Sequence, residues 1–479
     1  MQLLALAPTN LIRWRGPAAI TVAAALALAA GYFSAARSPL LAGGAVVGTL
    51  LGAWALRRRD VALYGLVGVI ALMPFGVLPF RAAIAPTFLD AATAGVFLVW
   101  LARAAHRRSR TQLSVVGACL LAFVGAIVAA YVLSGEALRP NETARLFVKV
   151  AAAHLLFVPV LNLVPGRKTA GRMVAWLMFA ATVEALVAVA LYVVPRGAAL
   201  RALNALGAIG YPTGDAVLRY RPETDILRAT GTSVDPNMLG ALLMVAAALA
   251  APQLLAARPV LPKPLIVASL IPLTAGLLLS ESRGSWLGLV AGLFAIGALR
   301  YRRLVVILVL LGGLALALPQ AQRFTGHLTA GLRAEDRASA MRIGELQNAI
   351  QIIQRHPWFG AGWGAEGDSI ELAFTLGVSN VYLTVAERSG VVALAAYLAT
   401  LTVLAAVTWR GLRRSTAQED DGLMPGLAAA LVGTQVAGLV DHHFVRFPHL
   451  ISLLWIVAAL AIVVARDDAM RPAVGRRLR

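Results

Sequence analysis

Charge is what this chain has least of. Only 14% of its 479 residues are Asp, Glu, Lys or Arg, where a soluble domain carries about 25%. That deficit excludes an ordinary water-soluble globule. Cysteine is almost missing as well. The one residue, Cys119, lies inside an apolar run, and a lone thiol excludes an intrachain disulfide. Acids are scarce beside bases, 23 against 43, which leaves a net charge of +20. A dense basic patch would point to nucleic acid. These arginines are instead dispersed between apolar runs, so membrane topology accounts for them and no nucleic-acid partner is expected. No small-residue cleavage site follows the first apolar run, which therefore reads as a retained span.

What fills the chain instead is apolar, 59% of all residues. Runs of about 20 such residues recur along its length, enough to cross a bilayer as a helix. Lipid offers no partner to free backbone groups, so the spans must be helical. The expected fold is all-α: one polytopic membrane domain over residues 1–479 with about fourteen transmembrane helices. They fall roughly at 17–36, 40–56, 61–80, 84–102, 111–134, 147–164, 173–194, 235–257, 265–281, 284–299, 304–319, 380–409, 423–440 and 449–465. The second and tenth are short.

The connections alternate in character. One set is short and basic, as at Arg57 to Arg59, Arg103 to Arg110, Arg300 to Arg303 and Arg410 to Arg414. By the positive-inside rule that face is cytoplasmic, and both termini lie there, with 466–479 as a cytoplasmic tail. The other set holds most of the acids. It includes the long connections 195–234 and 320–379 and the turn "SESRGS". These lie on the outer face, where 320–379 forms a periplasmic loop inserted between spans. Within that loop Ile343, Leu346, Ile350 and Ile353 recur at helical spacing, which predicts an amphipathic surface helix stopped by Pro357.

Three outer arginines stand out: Arg228, Arg283 and Arg342. A lone arginine at a span end commonly snorkels to headgroups. Arg283 is harder to dismiss, because a tight turn between two helices needs no charge and Gly284 lets another group approach. A guanidinium stays charged when buried and grips phosphate oxygens with two donors. In "RATGTSVDPN", Asp235 and Pro236 read as a helix start, which leaves Arg228, Thr230 and Asn237 unexplained. "HPWFGAGWG" lacks the lysine of a P-loop and is not a nucleotide site; its tryptophans suit an interfacial belt. Glu387 lies two turns into the span opened by "SNVYLTVAERSG". "DHHFVRFPHL" gathers Asp441, His442, His443 and His449, but no further ligand is spaced to complete a metal site, so neither metal nor cofactor is expected.

In this order, "RATGTSVDPN", "SESRGSWLGL", "MRIGELQNAIQIIQRHPWFGAGWG", "SNVYLTVAERSGVVAL" and "GLVDHHF" resemble the O-antigen ligase and O-antigen polymerase family over roughly residues 228–445. The resemblance implies a metal-independent, inverting enzyme of the bacterial inner membrane. It would move a glycan from an undecaprenyl-pyrophosphate carrier to a hydroxyl of a glycan or lipid acceptor. It implies Arg228, Arg283 and Arg342 as pyrophosphate ligands. Arg283, Arg342 and Glu387 are the catalytic candidates, and Asn380, Tyr382, Asp441 and His442 would contact substrate.

One departure matters. Ligases of the family usually carry His-Asn before the Tyr-Leu pair, and here the position is Ser379 followed by Asn380. Serine is no general base near neutral pH. Either another group serves, with Glu387, Asp441, His442 and His356 as candidates, or the chemistry needs less help from a base, or the chain is not a ligase of the usual type. The substitution shifts the expectation from ligase toward polymerase. Two other readings stay open: a transporter or flippase that uses the same arginines to bind lipid-linked glycan, and a structural partner within a glycan-assembly complex.

Overall fold

The computed structural model describes residues 58–78, 86–105, 111–134, 142–221, 225–317, 337–363, 377–414 and 421–470. The chain divides into two compact units, Met1–Ala62 and Leu63–Arg479. The expected spans at 17–36 and 40–56 and the end of the tail lie outside the described residues.

Helices make up nearly all of the rest: α1 (Arg59–Leu72), α2 (Phe88–Ala105), α3 (Val115–Leu133), α4 (Glu142–Leu155), α5 (Phe157–Leu163), α6 (Arg167–Val193) and α7 (Arg196–Ala205). After the 195–234 connection come α8 (Pro236–Leu255), α9 (Lys263–Leu279), α10 (Arg283–Leu299), α11 (Arg302–Ala317), α12 (Arg337–Arg355), α13 (Val381–Arg414), α14 (Leu423–Ala437), the short α15 (His443–Arg446) and α16 (Pro448–Met470). Each of the other expected spans falls on one of these. Among the described residues seven stretches are long and apolar enough to cross a bilayer: α2, α3, α4 with α5, α6, α8, α13 and α16. The expected count of about fourteen is therefore only partly met. Three further apolar helices, α9, α10 and α14, have 15 to 17 residues, about 25 Å of helix against a hydrocarbon core of about 30 Å. Helix α1 ends at Leu72, well short of the expected 80.

The starts of the helices are legible locally. Ser114 caps α3 by accepting from the Gly117 amide at 3.0 Å. Asp235 caps α8 by accepting from Asn237 and Met238, with Pro236 in the first turn, as the sequence suggests. Helices α8 and α16 form the centre: 83% and 94% of their most apolar windows are buried, against at most 56% in the other long helices. A helix apolar all round belongs in such a place.

Helix α10 packs on α14 through a stripe of small residues spaced by four: Gly284, Gly288 and Gly292. A methyl group at Gly292 would stand 2.2 Å from the Ala429 carbonyl oxygen, and one at Gly288 2.6 Å from that of Gly433. Such backbone-to-backbone approach is how helices associate where lipid removes the hydrophobic drive.

The long 195–234 connection is ordered. It contains α7, two 3-10 turns and a two-residue antiparallel ladder, β1 (Arg219–Tyr220) with β2 (Leu227–Arg228), in which Arg219 faces Arg228. This hairpin is a small exception to the all-α expectation. The predicted surface helix is present as α12 and ends before Pro357. Its Ile343, Leu346 and Ile350 are exposed and Ala349 is buried, so the apolar stripe faces away from the bundle, as expected of a helix lying on a membrane surface.

Candidate functional site

The turn "SESR" between α9 and α10 is built by its serines. The Ser280 hydroxyl donates to the Leu277 carbonyl at 2.7 Å and accepts from the Ser282 amide at 3.3 Å. The Ser282 and Ser285 hydroxyls meet at 2.9 Å, and the Trp286 indole donates back to Leu277 at 2.9 Å. Gly240 of α8 lets this turn settle close, since a methyl group there would touch Ser282 Cβ at 2.6 Å. Arg283 is thereby placed as the first residue of α10. Glu281 just before it has φ of 51° and Val234, before the α8 cap, has φ of 64°. A β-branched residue at positive φ is a genuine outlier, and such strain gathers at functional sites.

The hairpin delivers a second guanidinium to the same turn. The Ala229 amide donates to the Leu279 carbonyl at 2.9 Å. Arg228 donates through Nε to the Ser280 carbonyl at 2.9 Å and through Nη2 to Asn237 Oδ1 at 2.6 Å. This explains Arg228 and Asn237, two of the three residues of "RATGTSVDPN" that helix capping did not. Burial pushes the Arg228 pKa down. The charges of Asp235, Glu281 and Asp441 oppose that, and the charge of Arg283 adds to it, so Arg228 and Arg283 lie in one field. Arg221 grips both oxygens of Glu281, at 2.9 and 2.5 Å. Behind the loop, buried Glu184 accepts from the Thr232 amide at 2.6 Å and from its hydroxyl at 2.9 Å.

Arg342 comes from α12 and completes the group: its charge acts on both Asp441 and His443. Asp441 in turn lies beside α10, with its Cβ 3.8 Å from where a Gly284 Cβ would stand. The structure thus gathers Arg228, Arg283, Arg342 and Asp441 from connections far apart in sequence.

The start of α13 borders this group. The Ser379 amide and hydroxyl both donate to Glu345 Oε2, at 3.1 and 2.8 Å. Asn380 caps α13 by accepting from the Leu383 amide at 2.9 Å and donates to the Leu439 carbonyl at 2.8 Å. The Tyr382 hydroxyl donates to the Gln435 carbonyl at 3.3 Å. Asn380 and Tyr382 therefore tie α13 to the end of α14. Glu387 is buried deeper along α13. There the "HPWFGAGW" turn clips onto a break in the helix at Gly390, whose φ is 77°. Ala361 and Gly362 amides donate to the carbonyls of Glu387 and Arg388. Of the two tryptophans expected in an interfacial belt, Trp358 is exposed. Trp363 is buried instead, donating to Ser389 Oγ at 3.0 Å.

The two adjacent histidines differ sharply. His443 Nδ1 is hydrogen-bonded to Asp441 Oδ1, and its Nε2 stands 4.0 Å from Asp235 Oδ1. Burial lowers the His443 pKa, but the charge and hydrogen bond of Asp441 and the charge of Asp235 outweigh burial and raise it. Asp441 answers in kind: burial raises it, and His443, His442 and Arg342 bring it down to about 2. His442 is pushed down to about 3 by burial, with the charges of His443, Arg446 and Arg388 adding to the effect and that of Asp441 opposing it. His442 is thus neutral, with no acid on its ring among the described residues. The sequence reading favoured His442; the structure pairs its neighbour with the acid. Among the described residues no three His, Cys, Asp or Glu side chains gather in a way that could hold a metal ion.

A separate cavity of about 730 Å³ opens among α2, α4 and the start of α16, with Phe97, Arg145, Lys149 and Pro448 in its lining. That volume falls within the range of about 300–1,000 Å³ typical of ligand pockets.

Taken together, a turn of guanidiniums beside a carboxylate–imidazole pair, at one end of apolar helices, can hold a polyanion and accept a proton. The O-antigen ligase family model matches residues 268–398, a stretch that takes in Arg283, Arg342, Ser379 and Glu387. Over that stretch the chain is similar to the O-antigen ligase family, in line with the sequence resemblance. That match, with seven helices long and apolar enough to cross a bilayer among the described residues, supports a multi-pass membrane protein related to glycan ligases and polymerases. No curated protein matches the chain.

Proposed function

We propose that the chain transfers or polymerises a glycan from an undecaprenyl-pyrophosphate carrier onto an acceptor hydroxyl at the outer face of the bacterial plasma membrane. The observation that carries this reading is that Arg228 and Arg283 meet at one turn between apolar helices and share the charge of Asp441 with Arg342. Lysines and arginines at the other helix ends support the orientation. Lys168, Arg258, Lys263, Arg300 to Arg303 and Arg410 to Arg414 stand away from the Arg283 turn, as the positive-inside rule requires of a cytoplasmic face.

In this reading the carrier lipid stays in the outer leaflet and its pyrophosphate lies across the guanidiniums. The acceptor oxygen attacks the anomeric carbon and the bond to pyrophosphate breaks on the opposite side, with inversion. Charge develops on the leaving oxygen, and fixed guanidiniums match it without reorganising. No metal is needed for that task.

Arg283→Ala and Arg342→Ala are each expected to lower transfer about 10²–10³-fold, the usual cost of losing a donor that matches developing charge. Lysine at either position should restore little, because the two-pronged geometry is lost. The measurement is transfer in right-side-out membrane vesicles of the source bacterium, paired with undecaprenyl pyrophosphate binding to the purified chain. Near-normal transfer by either alanine variant removes that arginine from the site.

A further inference from the structure

Attack by a hydroxyl calls for a group that takes its proton, and Ser379 cannot. We propose that His443, oriented by Asp441, is the general base of this transfer, an inference that rests on the glycan-transfer reading above. Its ring is held on every side. Nδ1 is committed to Asp441. The His442 ring stacks on it at 5.3 Å and 15°, and the Phe447 ring lies 5.3 Å away at 30°. With Asp441 ionised, the neutral ring keeps its proton on Nδ1 and carries its lone pair on Nε2. Nε2 has no hydrogen-bond partner among the described residues, Asp235 Oδ1 standing 4.0 Å away. The pair lies beside the guanidiniums, through Arg342 on one side and the Gly284 backbone of α10 on the other.

The other candidates fit less well. Glu345, which occupies the neighbourhood of position 379, receives both Ser379 donors on one oxygen and so serves to fasten the start of α13. His442 is about as buried as His443, but among the described residues no acid is hydrogen-bonded to its ring to orient it or hold the imidazolium, and burial keeps it neutral. His356 is exposed at the end of α12. A role for His443 as a further phosphate ligand is disfavoured by its setting, because Asp441 and Asp235 flank its two nitrogens and repel an anion.

The step balances as follows. Nε2 takes the hydroxyl proton as the acceptor oxygen bonds to the anomeric carbon. The carbon–oxygen bond to the carrier breaks, its electron pair stays on the pyrophosphate, and the guanidiniums match that charge. The imidazolium formed is held by Asp441 and afterwards returns its proton to water. The groups facing His443 are Asp441, Asp235, His442, His449 and Arg342. Because the acids hold the ring proton, the base becomes available only above the ordinary histidine value. Transfer should therefore rise with pH through an inflection above 6.5.

The test uses the full chain in right-side-out vesicles of its own bacterium, in place of the native copy, with accumulated lipid-linked glycan and transferred glycan both measured. His443→Gln should lower transfer about 10²–10⁴-fold. Undecaprenyl pyrophosphate binding to the same purified variant should stay within a few-fold of wild type, which also shows that it is folded. Asp441→Asn should move the pH inflection downward, an effect that loss of packing alone would not produce. His443 loses the role if His443→Gln transfers normally, if Glu345→Gln alone abolishes transfer, or if wild-type transfer falls with rising pH. A wild-type chain that neither binds undecaprenyl pyrophosphate nor transfers glycan removes the underlying reading itself.

Discussion

Two clusters of charge stand at opposite ends of α8, about 30 Å apart along that helix. At the far end Arg167 is closed on all sides. It donates through Nε and Nη2 to both oxygens of Asp421, at 2.7 and 2.5 Å, and through Nη1 to Asp468 at 2.5 Å. One buried guanidinium faces two acids, and Asp421 also caps α14 through the Leu423 amide. At the near end the balance reverses: Arg221, Arg228, Arg283 and Arg342 share a field with Asp235, Glu281 and Asp441. Cation exceeds acid there, on backbone held at unfavourable φ. The contrast separates two uses of one residue type. A cluster whose charges close on each other fastens helices together. In the proposed function, a cluster in which cations outnumber the acids beside them is the one that receives an anion.

Exchanging the consequences is the strongest way to break that contrast. Arg167→Ala takes the shared guanidinium from two partly buried carboxylates, Asp421 and Asp468, and should cost up to about 3–5 kcal/mol of stability. It should appear as a lower midpoint on thermal denaturation in a fixed detergent. The protein that remains folded should bind undecaprenyl pyrophosphate as wild type does. Arg283→Ala should show the reverse pattern, a normal midpoint with lost binding. If Arg167→Ala weakens binding without lowering the midpoint, the two ends are not distinct in kind.

The α10–α14 contact sharpens the comparison, because it carries Arg283 at one end. Gly292→Val would force side-chain atoms against the Ala429 carbonyl, at about 1–3 kcal/mol for an overpacked core. The displaced α10 should also weaken undecaprenyl pyrophosphate binding, by less than Arg283→Ala does. A Gly292→Val protein with unchanged midpoint would mean that the stripe is not a close contact.

How much of this the sequence disclosed depended on the range of the interaction. Apolar length and proline or acid caps are local, so α8, α12 and most spans were legible within a few residues. The gathering of Arg228, Arg283 and Arg342 was legible only through motif order, because nothing in spacing brings residue 228 to residue 342. The choice between His442 and His443 was not legible. It depends on the turn after Val440 and on which ring meets Asp441, both set by how α14 and α15 pack. Trp363 was hidden for the same reason: its burial depends on the break at Gly390 in a helix that hydropathy reads as continuous.

The smallest expected effect is also the most discriminating at position 379. Ser379→His keeps the backbone bond to Glu345 and loses the hydroxyl bond, so the start of α13 should survive. If His443 already supplies the base, a second imidazole has nothing to add, and transfer should change by less than about threefold. In a His443→Gln background the same change should instead recover about tenfold or more, since position 379 borders the same acceptor side through Asn380 and the Leu439 carbonyl. A gain of that size in the otherwise wild-type chain would show that the native site lacks a working base, and the distinction drawn between the two histidines would fail with it.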